Sequence, residues 1–176
     1  MRPTRTGVRW ILSIGAVLLA ASATADIPSA ANACVSDLVE TTPSGDFTTL
    51  EGGAVVRHGS TGLEWRRCAE GMSWTGTVCT GSASTWTWRG ALQHADAVSG
   101  WRLPNINELR SIVERCRQSP AVNQQVFPNM PSSRFWSASP SAGRSDSAWN
   151  FNFSLGYDDW YSRYNFLHVR LVRDGQ

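Results

Sequence analysis

The run Trp101-Arg102-Leu103-Pro104-Asn105-Ile106-Asn107-Glu108-Leu109-Arg110-Ser111-Ile112-Val113 holds an extended entry, a stop and a helix start in one place. Pro104 biases Leu103 toward extended backbone. Asn105 is a preferred N-cap, and Glu108 three residues later completes a capping box. Leu109, Ile112, Val113 and Cys116 then fall on one helical face, which predicts a helix continuing to about Cys116 and closed by Pro120. Arg110, Arg115 and Arg117 point elsewhere and read as a solvated face. Phe127-Pro128-Asn129-Met130-Pro131 reads as an ordered loop.

Working back, Ala91, Leu92, Ala95 and Val98 recur at helical spacing after Thr87, an N-cap, until Gly100. Before that, Ala54 to Arg57, a turn over His58-Gly59-Ser60-Thr61-Gly62, and Leu63 to Arg67 predict a β-hairpin. Residues 26–50 are rich in Pro, Gly, Ser and Thr and read as an extended, loop-like segment. Working forward, ten of the chain's 18 aromatic residues lie between Phe135 and His168, including all three tyrosines. Trp149, Phe151 and Phe153 alternate with Ala148, Asn150 and Asn152, so one strand face is apolar and the other small or polar. Gly156 turns the chain into Tyr157 to Arg163, and Leu167, Val169 and Leu171 alternate with His168, Arg170 and Val172 in a last strand. Helices followed by an antiparallel sheet give an α+β class.

With 41% hydrophobic residues and 9 Trp, the 176-residue chain is too apolar for disorder. All 16 basic residues are arginine. Residues 1–25 carry Arg2, Arg5 and Arg9 and no acid, then the apolar run Trp10 to Ala21 and the small-x-small site Ala23-Thr24-Ala25. They read as a secretory signal peptide cut before Asp26, too short to anchor in a bilayer. Its loss takes the formal net charge from +2 to −1, which argues against nucleic acid as a partner, and removes the apolar run, so no membrane insertion is expected after cleavage. The expected address is periplasmic, cell-surface or extracellular. There, four cysteines most often form two disulfides, with three connectivities open. Cys68 with Cys79 would close a short Gly/Ser/Thr loop, and Cys34 with Cys116 would tie the N-terminal segment to the end of the second helix. The long closure should contribute roughly 4–5 kcal/mol and the short one about 2–3 kcal/mol. Zinc is disfavoured because no CxxC spacing exists and His58, His94 and His168 are scattered.

Thr61-Gly62-Leu63-Glu64-Trp65-Arg66-Arg67-Cys68, the loop closed by Cys79, Thr87-Trp88 with Ala91-Leu92, the Trp101 to Val113 run, Phe127-Pro128-Asn129, Phe135-Trp136-Ser137-Ala138-Ser139 and the closing Val169 to Arg173 together resemble the Lcl C-terminal domain family. The resemblance covers residues 51–174 as one domain. It extends to Cys34 and Cys116 and supports the pairing favoured above. It implies a C-type-lectin-like fold, shared with formylglycine-generating enzymes, in which two helices pack on short antiparallel sheets and support a C-terminal surface of loops and strands. The family is named for the C-terminal domain of a trimeric bacterial collagen-like adhesin that binds sulfated glycosaminoglycans. This chain has no Gly-X-Y repeat, so no collagen stalk within it sets an oligomeric state.

No catalytic constellation emerges, and a non-enzyme is expected. The copper-binding cysteine pair of formylglycine-generating enzymes has no counterpart after Cys116. Leu103-Pro104-Asn105 and Trp149-Asn150-Phe151 lack the acids of calcium-dependent lectin signatures, so no cofactor is implied. Binding chemistry is better represented, because rings stack on the C–H face of sugars while amides, carboxylates and phenols supply hydrogen bonds. The candidate ligand-binding residues are Asn150, Asn152, Tyr157, Asp158, Trp160, Tyr161, Arg163 and Tyr164. Of these Asn150, Asn152, Asp158, Tyr161 and Tyr164 are expected to be exposed, whereas Trp136, Trp149, Phe151, Phe153 and Phe166 are expected in the core. The expected partner is a glycan, or alternatively a cell-surface protein. For a sulfated glycan Arg134, Arg144 and Arg163 would matter, while Asp146, Asp158 and Asp159 would repel it. Arg170 and Arg173 are expected to pair with Glu108 or another buried acid.

Overall fold

Strand pairing begins at Phe47 in a computed structural model that describes Met1 and residues 33–35 and 37–175. The leader expected over residues 1–25 lies, Met1 apart, outside the described residues. Strand β1 (Phe47–Leu50) pairs antiparallel with β2 (Val55–His58), and β2 with β3 (Glu64–Arg66), which is the expected hairpin. The loop-like reading of residues 26–50 therefore fails at its end, where Phe47 stacks on His58 and packs edge-on to Phe127. A small hairpin follows, β4 (Ser73–Trp74) with β5 (Cys79–Thr80), and then β6 (Thr85–Trp86).

Helix α1 (Trp88–Asp96) is capped by Thr87, whose hydroxyl accepts the Gly90 N–H. Helix α2 (Ile106–Ser111) opens with the expected capping box between Asn105 and Glu108. It ends at Ser111, one turn short of expectation. Ile112, Val113 and Cys116 are still buried, but as irregular chain. The break lets Glu114 N–H reach the Ala121 carbonyl and turns the Glu114 carboxylate onto Thr41 and Thr42.

The last third supplies β7 (Arg134–Pro140), β8 (Ser147–Asn152), β9 (Tyr157–Ser162), β10 (Leu167–His168) and β11 (Val172–Arg173). One sheet has the order β6-β10-β7-β8-β9, the other β1-β2-β3-β11. Two expectations are corrected here. The β10–β7 pair is parallel, and the single last strand is two strands in different sheets. The link Val169 to Leu171 bridges them, with its carbonyls taken by Glu70 and Arg66 N–H groups. A link covered on both sides cannot alternate in and out, so Arg170 is fully buried. It donates to the carbonyls of Arg66 and Arg67 and lies over Phe127. Burial, opposed by Glu70, lowers its pKa to about 9.

Adjacent strand residues point to opposite faces, and the two cores follow that rule. Phe135 and Phe151 face α2, joining Leu109, Val122 and Phe127. Trp136 and Ala148 face α1, joining Ala91, Ala95 and Leu171. Trp136, Phe151 and Phe153 are buried as expected, whereas Phe166 is 67% exposed and is not core. Both disulfides form as favoured, Cys34–Cys116 and Cys68–Cys79, and no cysteine is free among the described residues. Among those residues no helix is long and apolar enough to cross a membrane.

Candidate functional site

Strand β9 is the edge of the five-stranded sheet, paired only with β8. Directly paired residues of an antiparallel ladder share a face, and the register divides the candidate residues. Tyr157 lies opposite Asn152, Asp159 opposite Asn150 and Tyr161 opposite Ala148, all on the α1 side. Asp158 and Trp160 lie on the α2 side, opposite Phe151 and Trp149. Period two thus lines up Tyr157, Asp159 and Tyr161, with Arg163 next in phase.

Arg134, on the neighbouring β7, organises this row. Its guanidinium donates to Asn150 Oδ1 at 3.1 Å, Asp159 Oδ2 at 3.3 Å and the Tyr157 hydroxyl at 3.4 Å. It also lies 5.0 Å from the Tyr161 ring centroid and 5.9 Å from that of Tyr157. Tyr157 and Tyr161 remain 42% and 38% exposed, so the rings are restrained without being covered. Asn150 and Asn152 were expected at the surface and are instead buried. Asn150 accepts from Arg134 and donates to the Asp159 carbonyl, and Asn152 Oδ1 accepts the Ser154 N–H. They support the face from beneath.

On the other side, Asp158 is chelated by Arg110 through two bonds of 3.1 and 2.6 Å. The Arg110 guanidinium holds the Asp158 carboxyl below its usual range. Arg110 is therefore a tether between α2 and β9 rather than merely a solvated side chain, and Arg117 likewise pairs with Glu40. Trp160, 40% exposed, is overlain by Arg144 at 3.6 Å. Of the expected repulsive acids, Asp158 and Asp159 are each paired with an arginine. The acid expected for Arg173 is Glu64, with Glu51, while Glu108 pairs with Arg102.

Beyond the end of β9, a cleft of about 770 Å³ opens between α1 and the β7–β8 loop. Trp88, Arg89 and Leu92 line it from α1, Asp146 from the loop, and Arg163 and Tyr164 from the segment after β9. Trp88 is fixed by its indole N–H to the Ser137 carbonyl at 2.8 Å. Arg163 Nε donates to the Ser147 carbonyl at 3.0 Å, and its guanidinium lies 4.3 Å from the Trp88 ring centroid. Tyr164 is 81% exposed. Sequence reasoning singled out Arg163 and Tyr164 but missed Trp88 and Arg89, which stand on a helix more than seventy residues away. It noticed Asp159 and Arg134 without placing them in the row, a step that period-two counting from Tyr157 supplies for Asp159.

The histidines stand elsewhere, in structural bonds. His58 is held between Ser60 and Thr61, His94 bonds Glu70 at 2.7 Å, and His168 bonds the Ser84 carbonyl. Cys34, Glu114 and Cys116 are the one close group of metal-ligand types among the described residues. The disulfide occupies both sulfurs, and the carboxylate is committed to Thr41, Thr42 and Cys116.

Fold and surface define a disulfide-stapled α+β domain that presents restrained rings on an edge strand. The profile of the Lcl C-terminal domain matches residues 54–173, and the chain belongs to that family. No curated protein matches it.

Proposed function

We propose that this protein is an exported, non-catalytic binding or adhesion module that takes glycans on the outer face of β9 and in the adjoining cleft. The observation that carries the reading is the row Tyr157, Asp159, Tyr161 and Arg163, in which aromatic and polar groups alternate along one exposed strand face. Sugars present that alternation in reverse, with apolar C–H faces between hydroxyl rims, and pre-restrained rings bind them at low entropic cost. Charge adds a preference. On this side Arg89, Arg134 and Arg163 stand against Asp146 and Asp159, so the face carries a small cationic excess on a chain that is net acidic after residue 25. Anionic glycans, sulfated ones among them, therefore fit better than the acids alone suggested. The C-type-lectin-like assignment belongs to the same proposal. In its favour are the two helices on opposite faces of one sheet and a working surface drawn from the last third of the chain.

A glycan array probed with the purified protein tests this. Retention that falls on Tyr157→Ala or Tyr161→Ala is the expected result, and no sugar retained at any salt concentration would refute it. A protein ligand is the second reading, favoured by the one-sided pairing of β9, whose outer edge could accept an added strand.

A further inference from the structure

The cleft beside α1 differs from the open strand face in one respect: its fixed guanidinium, Arg163, is bonded only through Nε, whereas the terminal nitrogens of Arg134 are taken by Asn150, Asp159 and Tyr157. We infer that it is a subsite for a single carboxylate carried on a pyranose ring, that is, for an acidic sugar of the uronic type. The inference rests on the glycan reading above and names the ligand class for one part of that surface.

Three observations converge. Arg163 is restrained at one edge by the bond from Nε to the Ser147 carbonyl and on one face by Trp88, itself anchored to Ser137. Its two terminal nitrogens have no partner among the described residues, and Arg163 lines the cleft. A guanidinium held by Nε and one face offers its remaining N–H pair as a planar fork, the geometry that a carboxylate meets with two parallel bonds. Arg89 adds a second cation from the first turn of α1. It is exposed, forms no ion pair among the described residues, and sits where the helix dipole also favours an anion.

Asp146 lines the same cleft, and its Oδ1 already accepts from the Ser147 hydroxyl. A carboxylate there suits a sugar hydroxyl and opposes a second negative charge. Two cations and one anion fit one acidic group among hydroxyls, and fit a densely sulfated chain poorly. Leu92 and the exposed Tyr164 ring supply apolar walls for the sugar's C–H face.

The test compares three ligands on one ring: a methyl glucuronide, the methyl glucoside and its 6-sulfate, each titrated while the sugar proton resonances are followed by NMR. The expected result is saturation by the glucuronide at a concentration at least about tenfold lower than by the glucoside, the discrimination of one charge-assisted bond or more. Arg163→Lys, which keeps the charge and loses the fork, should remove most of that preference. Arg89→Gln, a surface change that cannot unfold the domain, should weaken the glucuronide several-fold and leave the glucoside unchanged. Equal affinity for the glucuronide and glucoside, tighter binding of the sulfate, or a glucuronide preference indifferent to both variants would each overturn the inference while the broader glycan reading stands. If none of the three binds and the array is also blank, both fall together.

Discussion

Glu114 offers the sharpest test of how the N-terminal segment is attached. Its carboxylate is fully buried, yet every close partner is a donor. Oε1 accepts the Thr41 N–H at 2.9 Å, the Thr41 hydroxyl at 3.1 Å and the Cys116 N–H at 3.2 Å. Oε2 accepts the Thr42 N–H at 2.7 Å and the Thr42 hydroxyl at 3.1 Å. Burial raises the carboxyl's pKa, the bonds from Thr41, Thr42 and Cys116 lower it, and the bonds prevail. Glu114→Gln preserves shape and removes charge, but whichever way the amide is turned its NH₂ faces a backbone N–H. The cost is at least one charge-assisted bond plus one buried donor left unpaired, about 2–4 kcal/mol. At about 3 °C per kcal/mol for a domain of this size, the melting temperature should fall by about 6–12 °C. Glu114→Ala should cost a similar amount, so the isosteric change is nearly as damaging as truncation. Thermal unfolding with both disulfides intact, alongside amide exchange over residues 37–42, gives the measurement. A Glu114→Gln protein within about 0.5 kcal/mol of the parent would refute the clamp, because surface substitutions produce no more than that.

Acidification should destabilise the protein in two stages. Burial lowers the pKa of His58 and His168 from 6.5, so as pH falls below about 6.5 the unfolded chain takes up protons that the native one refuses and stability is lost, read as a falling urea midpoint. Glu64, Glu114 and Asp158 are held below their ordinary values, so their contribution is present above about pH 4.5 and is lost as pH falls further. A midpoint flat from pH 7 to 5 would contradict the first stage. Replacing Cys68 and Cys79 by Ala should cost about 2–3 kcal/mol by loop entropy, whereas replacing Cys34 and Cys116 should couple non-additively with Glu114→Gln, since both changes loosen the same segment. In a double-mutant cycle, strict additivity would count against that shared role. Arg134→Met removes the donor to the buried Asn150 Oδ1 and should cost about 1–3 kcal/mol, free the Tyr157 and Tyr161 rings and reduce glycan retention, with NMR relaxation of the ring resonances as the readout.

Local signals carried the frame of the fold. Thr87, the Asn105–Glu108 box and the His58 to Gly62 turn are decided within a few residues, and the structure has each where the sequence placed it. Burial was legible only in part, because alternation tells which residues share a face without telling what lies over that face. Asn150 and Asn152 are polar and in phase, yet Arg134 on β7 and Tyr157 on β9 flank them, so they became supports rather than contacts. Phe166 looked like core and is not, because the chain between β9 and β10 crosses open solvent before Leu167 re-enters the sheet. Of the cleft, only Arg163 and Tyr164 were legible. It exists because α1 packs on Trp136, and no local rule links Trp88 to Arg163.

The exclusive use of arginine has a structural counterpart on the candidate face. Rings are ordinarily stiffened by burial, which would hide them from a ligand. Here guanidinium groups restrain them instead: Arg134 beside Tyr157 and Tyr161, Arg144 over Trp160, Arg163 over Trp88. Arg134 and Arg163 also hold a second partner through in-plane N–H groups, Asp159 in one case and the Ser147 carbonyl in the other. A planar, delocalised cation lies flat on a ring while donating in its own plane, a geometry that a tetrahedral ammonium does not offer. Each such contact contributes only about 0.5–1 kcal/mol at an exposed site. The global stability therefore depends little on them, while the order of the exposed rings depends on them heavily. It follows that lysine at positions 134, 144 and 163 would conserve charge and fold but leave the rings mobile, separating the electrostatic from the geometric contribution to any binding this face performs.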